Sequence, residues 1–393
     1  MSAFRVAVRN FGPFESAMRK QWQSFCAAGG SDLAIEPVSL DLAPLHAAVF
    51  DARAAGWDLL FLPTDWVAAA VTDGLLADLR PLLAARPIAD FPDAWSPSLL
   101  GLQDFAGGFW GMPYHDGPQC LIYRRDLLDA AGIAVPQSWD AFHAAARRLH
   151  DPAAGRAGTI LALYPDGHNA FYDVCVQLWT RGGAPFDAAG RPTLTSAAAR
   201  EGLDFLRRLA ADRSATDADL RDIDSVASGM RFAAGRVALM ANWFGFAAYA
   251  ETDAASAVRG RVGVAPLPSA AGGAAVSLNV FWLLAIPAAS ERRDLAWAFM
   301  RHCATPAMDK LVTQEGGIGV RRSTWNDAEV NRAVPFYHHL DALHAVARTL
   351  PLHPRMPEVA QAFDAMVTAA ITTDQPSEDL LARAQARIVA IVA

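Results

Sequence analysis

The chain is 393 residues long, with 53% hydrophobic and 19% charged residues, which allows two packed domains and excludes a disordered polymer. A net charge of -7 with no long basic run excludes a nucleic-acid surface, which needs clustered cations to displace counterions. No uncharged run of about 20 apolar residues marks a membrane-spanning helix.

The first third alternates strand and helix patterns. Phe4 to Val8 reads as a strand, Glu15 to Ala27 as a helix and Leu33 to Val38 as a strand. Leu42 to Ala55 reads as a helix, and Asp58 to Leu62 as a buried strand ending at Pro63-Thr64-Asp65-Trp66. Such alternation predicts a mostly parallel sheet covered by helices on both faces. Ligands of these sheets sit beyond the carboxyl ends of the strands, which nominates Phe11 and then Thr64, Asp65 and Trp66. For Trp66 the alternatives are ligand contact and a turn in which Thr64 or Asp65 caps the next helix.

A change of lobe is expected near Gly107-Gly108-Phe109-Trp110-Gly111-Met112-Pro113-Tyr114, followed by a strand at Leu121-Ile122-Tyr123. Ser138 is placed as the N-cap of a helix carrying Trp139, Phe142, Ala146 and Leu149 on one face. Leu203, Leu206 and Ala210 recur at helical spacing after Thr195-Ser196, and Val237 to Met240 reads as a strand running into Asn242-Trp243-Phe244-Gly245-Phe246. Val262 to Pro266 is expected to cross back to the first lobe and Gly316 to Val320 to return to the second. Leu381, Ala384, Ile388 and Ile391 place a helix at the C-terminus. The resulting boundaries are 1–112 with 264–316 for one lobe, and 113–263 with 317–393 for the other.

Chemistry-bearing motifs are sparse. The chain has no GxSxG, HExxH, P-loop or strand-linked GxGxxG pattern. Cys26, Cys120, Cys175 and Cys303 lack both zinc spacing and disulfide-framework density, and read as small core residues, with a single disulfide among them as the alternative in an oxidising compartment. His338, His339 and His344 contain no i, i+4 pair and read as solvated or capping histidines. No metal or cofactor is therefore called.

Four segments taken together carry a resemblance. They are the opening strand-helix stretch, Trp110 to Tyr114 with Leu121 to Leu128, Pro136-Gln137-Ser138-Trp139-Asp140-Ala141-Phe142, and Phe232-Ala233-Ala234-Gly235-Arg236-Val237-Ala238-Leu239-Met240. In this order and spacing the chain resembles family 1 extracellular solute-binding proteins of bacterial ABC importers, the group that includes maltose- and glycerol-phosphate-binding types. The resemblance implies an α/β, bilobal periplasmic-binding-protein-like (type II) fold, with a hinge and an interlobe cleft that closes on its ligand. It implies a monomeric, periplasmic, non-enzymatic protein that hands a sugar, polyol or derivative to membrane permease subunits driven by a separate ATPase. No apolar leader of roughly 7 to 15 residues precedes Phe4, so for an exported member either the leader has been removed or export uses another route. The rival expectation is a carbohydrate-active enzyme working through two cleft carboxylates.

Sugar recognition needs aromatic faces and planar polar groups. By similarity to the family, Trp243 matches the aromatic that stacks beneath a sugar ring, with core packing as its alternative. Tyr114, His115 and Asp116 sit at the presumed hinge, where Asp116 is either a hydroxyl acceptor or a turn residue beside Gly117-Pro118. Asp166, His168 and Asn169 form either a polar rim or a surface turn at Pro165-Asp166-Gly167. Asn279, inside an apolar run, must find a partner in a ligand or a sheet edge. Arg321, with Arg322 beside it, is either a bidentate clamp or a solvated turn charge.

Overall fold

A computed structural model of the chain describes residues 3–216, 220–270 and 273–393. Its strands of four or more residues are, in chain order, β1 (Phe4–Arg9), β2 (Ile35–Leu40), β3 (Leu59–Pro63), β4 (Met112–His115), β5 (Gln119–Arg124), β6 (Ala157–Ile160), β7 (Val237–Trp243), β8 (Val262–Ala265) and β9 (Trp282–Ala285). They form two separate sheets, one in each of two units. The first unit is Met1–Gly117, Asn279–Asp341 and Leu352–Met356, and the second is Pro118–Leu278, Ala342–Pro351 and Pro357–Ala393.

In the first unit the strand order is β2-β1-β3-β9-β4. β1 runs parallel to β2 and β3, while β9 is antiparallel to β3 and β4. All five residues of β3 are buried, as a strand covered on both faces requires. β2 lies at the edge, which is where Pro37 is tolerated because it has no N–H to donate to a neighbour. The helix Gly12–Ala27 packs Phe14, Ala17, Met18, Trp22 and Phe25 inward. Trp22 stacks on Phe4 at 4.5 Å and meets Phe299 edge-on at 4.8 Å, fastening that helix to β1 and to the helix Arg293–Cys303. The expected helix from Leu42 stops at Val49 rather than Ala55, and the chain beyond it turns through Arg53 and Ala54, which adopt positive φ and cannot continue a helix.

In the second unit the order is β8-β5-β7-β6, with β5 antiparallel to β7 and to β8, and β6 parallel to β7. Ser138 accepts a hydrogen bond from the Ala141 N–H at 3.2 Å and opens the helix Trp139–Leu149, as its side-chain chemistry predicts. That helix presses against β6 at Gly158, where a β-carbon would stand 1.8 Å from the Ala146 carbonyl oxygen. The C-terminal helix Ser377–Val392 buries Leu381, Ala384, Ile388 and Ile391.

The unit boundaries differ from those expected. The breaks fall at Gly117/Pro118 and Leu278/Asn279, and residues 317–341 belong to the first unit rather than the second. Val262–Ala265 does not leave the second unit, because its register pairs it with Leu121–Arg124. Gly316–Val320 does not return to it either. Asp309 accepts from the Val320 N–H at 2.8 Å, and the Gly319 N–H donates to Thr313 Oγ1 at 3.1 Å and to the Tyr337 hydroxyl at 2.9 Å. An apolar strand or a glycine turn carries no local mark of which sheet it will join. Cys120, Cys175 and Cys303 are buried and Cys26 half-buried, all as free thiols.

Candidate functional site

The nominated residues of the first unit are largely committed to internal partners. Thr64 is fully buried and exchanges two bonds with Phe281, its N–H donating to the carbonyl at 3.0 Å and its Oγ1 accepting at 3.3 Å. Trp66 is only 4% exposed and packs edge-on against His46 (5.0 Å) and Phe50 (5.9 Å), so it is a core aromatic rather than an open platform. The buried Tyr114 donates its hydroxyl to Gln21 Oε1 at 2.7 Å and meets Phe61 edge-on, and burial raises its pKa well above the ordinary range. Asn279 is also buried and donates from Nδ2 to the Ser98 carbonyl at 2.5 Å, while its Oδ1 has no partner among the described residues.

Arg321 corrects the expectation of a ligand clamp. It is 2% exposed, donates to the Ala304 carbonyl at 2.8 Å and to Asp90 at 3.2 Å, and lies over the Trp95 ring at 4.6 Å. Neither alternative read from the sequence, clamp or solvated turn charge, describes a guanidinium folded into the core with a carbonyl, a carboxylate and an aromatic face as partners. Arg322 alone is exposed, 3.9 Å from Asp341.

Phe11, Asp65 and His115 are half-buried. Phe11 precedes the helix Gly12–Ala27 and meets Phe14 edge-on at 5.1 Å. His115 ends β4, also edge-on to Phe14 (4.5 Å), and its Nδ1 accepts the Ile318 N–H at 2.9 Å. Desolvation lowers its pKa to about 4, against a smaller opposing pull from Asp116. The imidazole is therefore neutral at pH 7 with its proton on Nε2, where it is a hydrogen-bond donor. Asp116 is buried and its backbone N–H donates to the Ile318 carbonyl at 3.3 Å.

The second unit gathers a denser group. β6 and β7 are parallel, so Trp243, the last residue of β7, and the segment following β6 emerge at the same edge of the sheet. That segment enters the helix Asn169–Trp179 through Asp166, whose Oδ1 accepts the N–H groups of His168 and Asn169, both at 2.9 Å. Asn169 Nδ2 also donates to Asp166 Oδ2. Asp166 and Asn169 thus pair with each other to start a helix, which is the turn alternative rather than an open polar rim. Gly167 takes a positive φ of 80°, and its N–H donates to Asp364 Oδ2 at 2.6 Å.

Aromatic rings follow this turn in a chain. His168 is tilted on Tyr172 at 5.2 Å, and Tyr172 is perpendicular to Trp243 at 5.7 Å. Tyr172 is buried, whereas Trp243 is half-buried between the buried Asn242 and Phe244. Gln119 lies directly opposite Trp243 in the β5–β7 pairing, and its side chain hydrogen-bonds Asp173. Burial pushes Asp173 up to about pKa 8, with the Gln119 bond opposing, and Asp364 up to about 7, with the Gly167 bond opposing.

Tyr172, Asp173, Gln119 and Asp364 were not nominated from the sequence. The available signal was a carboxylate inside an otherwise apolar helical run, at Phe171-Tyr172-Asp173-Val174 and at Ala362-Phe363-Asp364-Ala365. Among the described residues no group of three or more His, Cys, Asp or Glu can hold a metal ion, and no helix is long and apolar enough to cross a membrane.

The model of the bacterial extracellular solute-binding protein family matches residues 45–310. The chain belongs to this family. Among its relatives is a mannitol-binding protein of Pseudomonas aeruginosa, 25% identical over 326 residues and covering 74% of this chain and 70% of that one. A probable ABC transporter-binding protein of Deinococcus radiodurans is 25% identical over 341 residues, 84% of this chain and 78% of its own length. In structure, maltose-bound MalE3 of T. maritima matches with a TM-score of 0.89 at 22% identity, over 100% of both chains. An ABC transporter solute-binding protein of Agrobacterium radiobacter in complex with ribitol matches with a TM-score of 0.88 at 23% identity, over 99% of this chain and 98% of that one. These likenesses establish the bilobal α/β fold of periplasmic binding proteins. Solute-binding family members and these structures are binding proteins, so the carbohydrate-active enzyme fits less well than the binding reading.

Proposed function

We propose that the chain is the solute-binding component of an ABC importer and captures a small polyol, sugar or derivative outside the cytoplasm, in the periplasm, as a monomer. It delivers that solute to membrane permease subunits worked by a separate ATPase. Family membership supports import. Relatives and structural neighbours named for mannitol, ribitol and maltose support the ligand class.

The observation that carries the reading on this chain's own residues is Trp243. It is a half-buried indole at a strand end, braced edge-to-face by Tyr172 and bordered by the amide of Gln119. An aromatic of this kind offers apolar area to the C–H face of a polyol at small entropic cost, while neighbouring planar polar groups take the hydroxyls. His168 extends the aromatic run. In the first unit, Phe11, Asp65 and the Nε2 donor of His115 remain the assigned candidates.

A thermal-shift series with ribitol, D-mannitol, maltose and glycerophosphocholine tests the reading. A ligand present at about 100 times its dissociation constant stabilises the folded protein by about 2.7 kcal/mol, and a polyol or sugar is expected to do so. No stabilisation by ribitol, D-mannitol or maltose, whatever glycerophosphocholine does, overturns the proposed ligand class.

A further inference from the structure

The group around Trp243 contains two carboxyls whose placement is unusual for a surface that only stacks sugars. Asp173 is 7% exposed and Asp364 6%, and each keeps one oxygen, Asp173 Oδ2 and Asp364 Oδ1, with no hydrogen-bond partner among the described residues. Buried polar atoms are nearly always paired, so two orphans beside one aromatic cluster mark positions where a ligand hydroxyl completes the bonding.

Both are tied to that cluster by contacts on either side of it. Asp173 follows Tyr172 in the helix and is bonded to Gln119, the cross-strand neighbour of Trp243. Asp364 accepts from Gly167, the residue before His168, on a helix (Met356–Thr372) fastened to this one by Phe363 against Phe171 at 4.7 Å.

Charge around the pair is one-sided. The influences on Asp364 are its burial, the Gly167 N–H and the negative charge of Asp166, and those on Asp173 are its burial and the Gln119 amide. The Cys175 thiol, two residues further along the same helix, feels the charge of Asp173 and is itself held protonated by burial, and His168 is a further titratable neighbour along the turn. Cations recorded on the two helices sit at their far ends, with Arg181 on Gln177 and Arg207 on the Ala370 carbonyl. An anion brought here meets two buried carboxyls with no cation bonded to either among the described residues, whereas a neutral hydroxyl finds acceptors and, from the protonated acids, donors.

We propose that Asp173 and Asp364 set the charge specificity of this site, admitting neutral polyhydroxylated solutes and rejecting their carboxylated counterparts. The inference rests on the solute-capture reading and adds two specificity-determining residues and a sign to it. Burial raises the pKa of both acids, Asp173 to about 8 and Asp364 to about 7, so rejection strengthens as they ionise on either side of neutrality.

The test is calorimetric titration of the full chain with three matched pairs, D-mannitol and D-mannonate, ribitol and ribonate, maltose and maltobionate. The acids stay ionised throughout, so any change with pH belongs to the protein. For a neutral member that binds, its acid is expected to bind at least about tenfold more weakly at about pH 6, with the gap widening by about tenfold more by about pH 9. In the double variant D173N/D364N, which has no carboxyl left to ionise, the neutral ligand is expected to bind more weakly and the gap to its acid no longer widens with pH. Its melting curve, recorded alongside, confirms that the variant is folded. An acid that binds as well as its neutral partner, or a gap that does not change with pH in the unsubstituted chain, overturns this inference and leaves solute capture standing. Failure of all six compounds to bind overturns the capture reading, and this one with it.

Discussion

Replacing Asp309 with alanine should damage a loop and a donor together. Its carboxyl is buried and accepts the N–H of Val320 at 2.8 Å, the N–H of Arg321 at 3.1 Å and the Thr324 hydroxyl at 2.5 Å. Removing it strands three buried donors at about 1 to 3 kcal/mol each. Part of that loss is returned, because burial is the leading influence on Asp309 and raises its pKa, so the native carboxyl carries a desolvation cost of its own. The net expectation for Asp309→Ala is a loss of about 3 to 4 kcal/mol, or about 6 to 16 °C in melting temperature for a unit of this size.

Ile318, in the same loop, donates to His115 Nδ1, so loosening the loop should also free His115 and let its pKa rise from about 4 towards the ordinary histidine value near 6.5. Denaturant unfolding followed by tryptophan emission reads the stability, with Trp325, which donates to the Gly319 carbonyl at 2.8 Å, as a reporter inside the loop. A proton NMR titration reads His115. A stability loss below about 1 kcal/mol together with an unmoved His115 would refute the role assigned to Asp309.

Further expectations concern the second unit. Asp173 and Asp364 hold protons more tightly in the folded chain than in the unfolded one, so their contribution to stability falls as pH rises from about 4 towards 7 or 8. Asp173→Asn should therefore gain on the native chain across that window, by up to about 5 kcal/mol at its upper end, and chemical denaturation showing a constant difference between pH 4 and pH 8 would contradict the assignment. Trp243→Ala should weaken polyol or sugar binding by about 1 to 3 kcal/mol with the fold retained, and unchanged affinity by calorimetry would remove Trp243 from the site. Gly158→Ala forces a β-carbon into the Ala146 carbonyl and should cost about 3 kcal/mol or more, which a normal melting temperature would disprove.

What could be read from the sequence was what local chemistry decides. The strands around Phe4 and Leu60, the Ser138 cap and the C-terminal helix follow from hydrophobic period and side-chain bonding within a few residues. Arg321 could not be read this way, because the groups that bury it include Asp90, 231 positions away in the chain. Val262–Ala265 has a strand's pattern, but its choice of Leu121–Arg124 as partner is a property of the folded sheet. At the site, Trp243 and the turn at 165–169 were visible as an aromatic after a strand and a cluster of turn formers. Tyr172 and Asp173 stayed hidden because they sit within an apolar helix, where the pattern reports burial and not what the buried face meets.

Equilibrium titration of the purified chain with D-mannitol, ribitol and maltose, followed by recovery of the solute and its examination by NMR, tests the central claim most directly. Saturable one-to-one binding of at least one of them is expected, with the recovered solute chemically unchanged. Absence of binding to all three, or conversion of a bound solute to product, would contradict it.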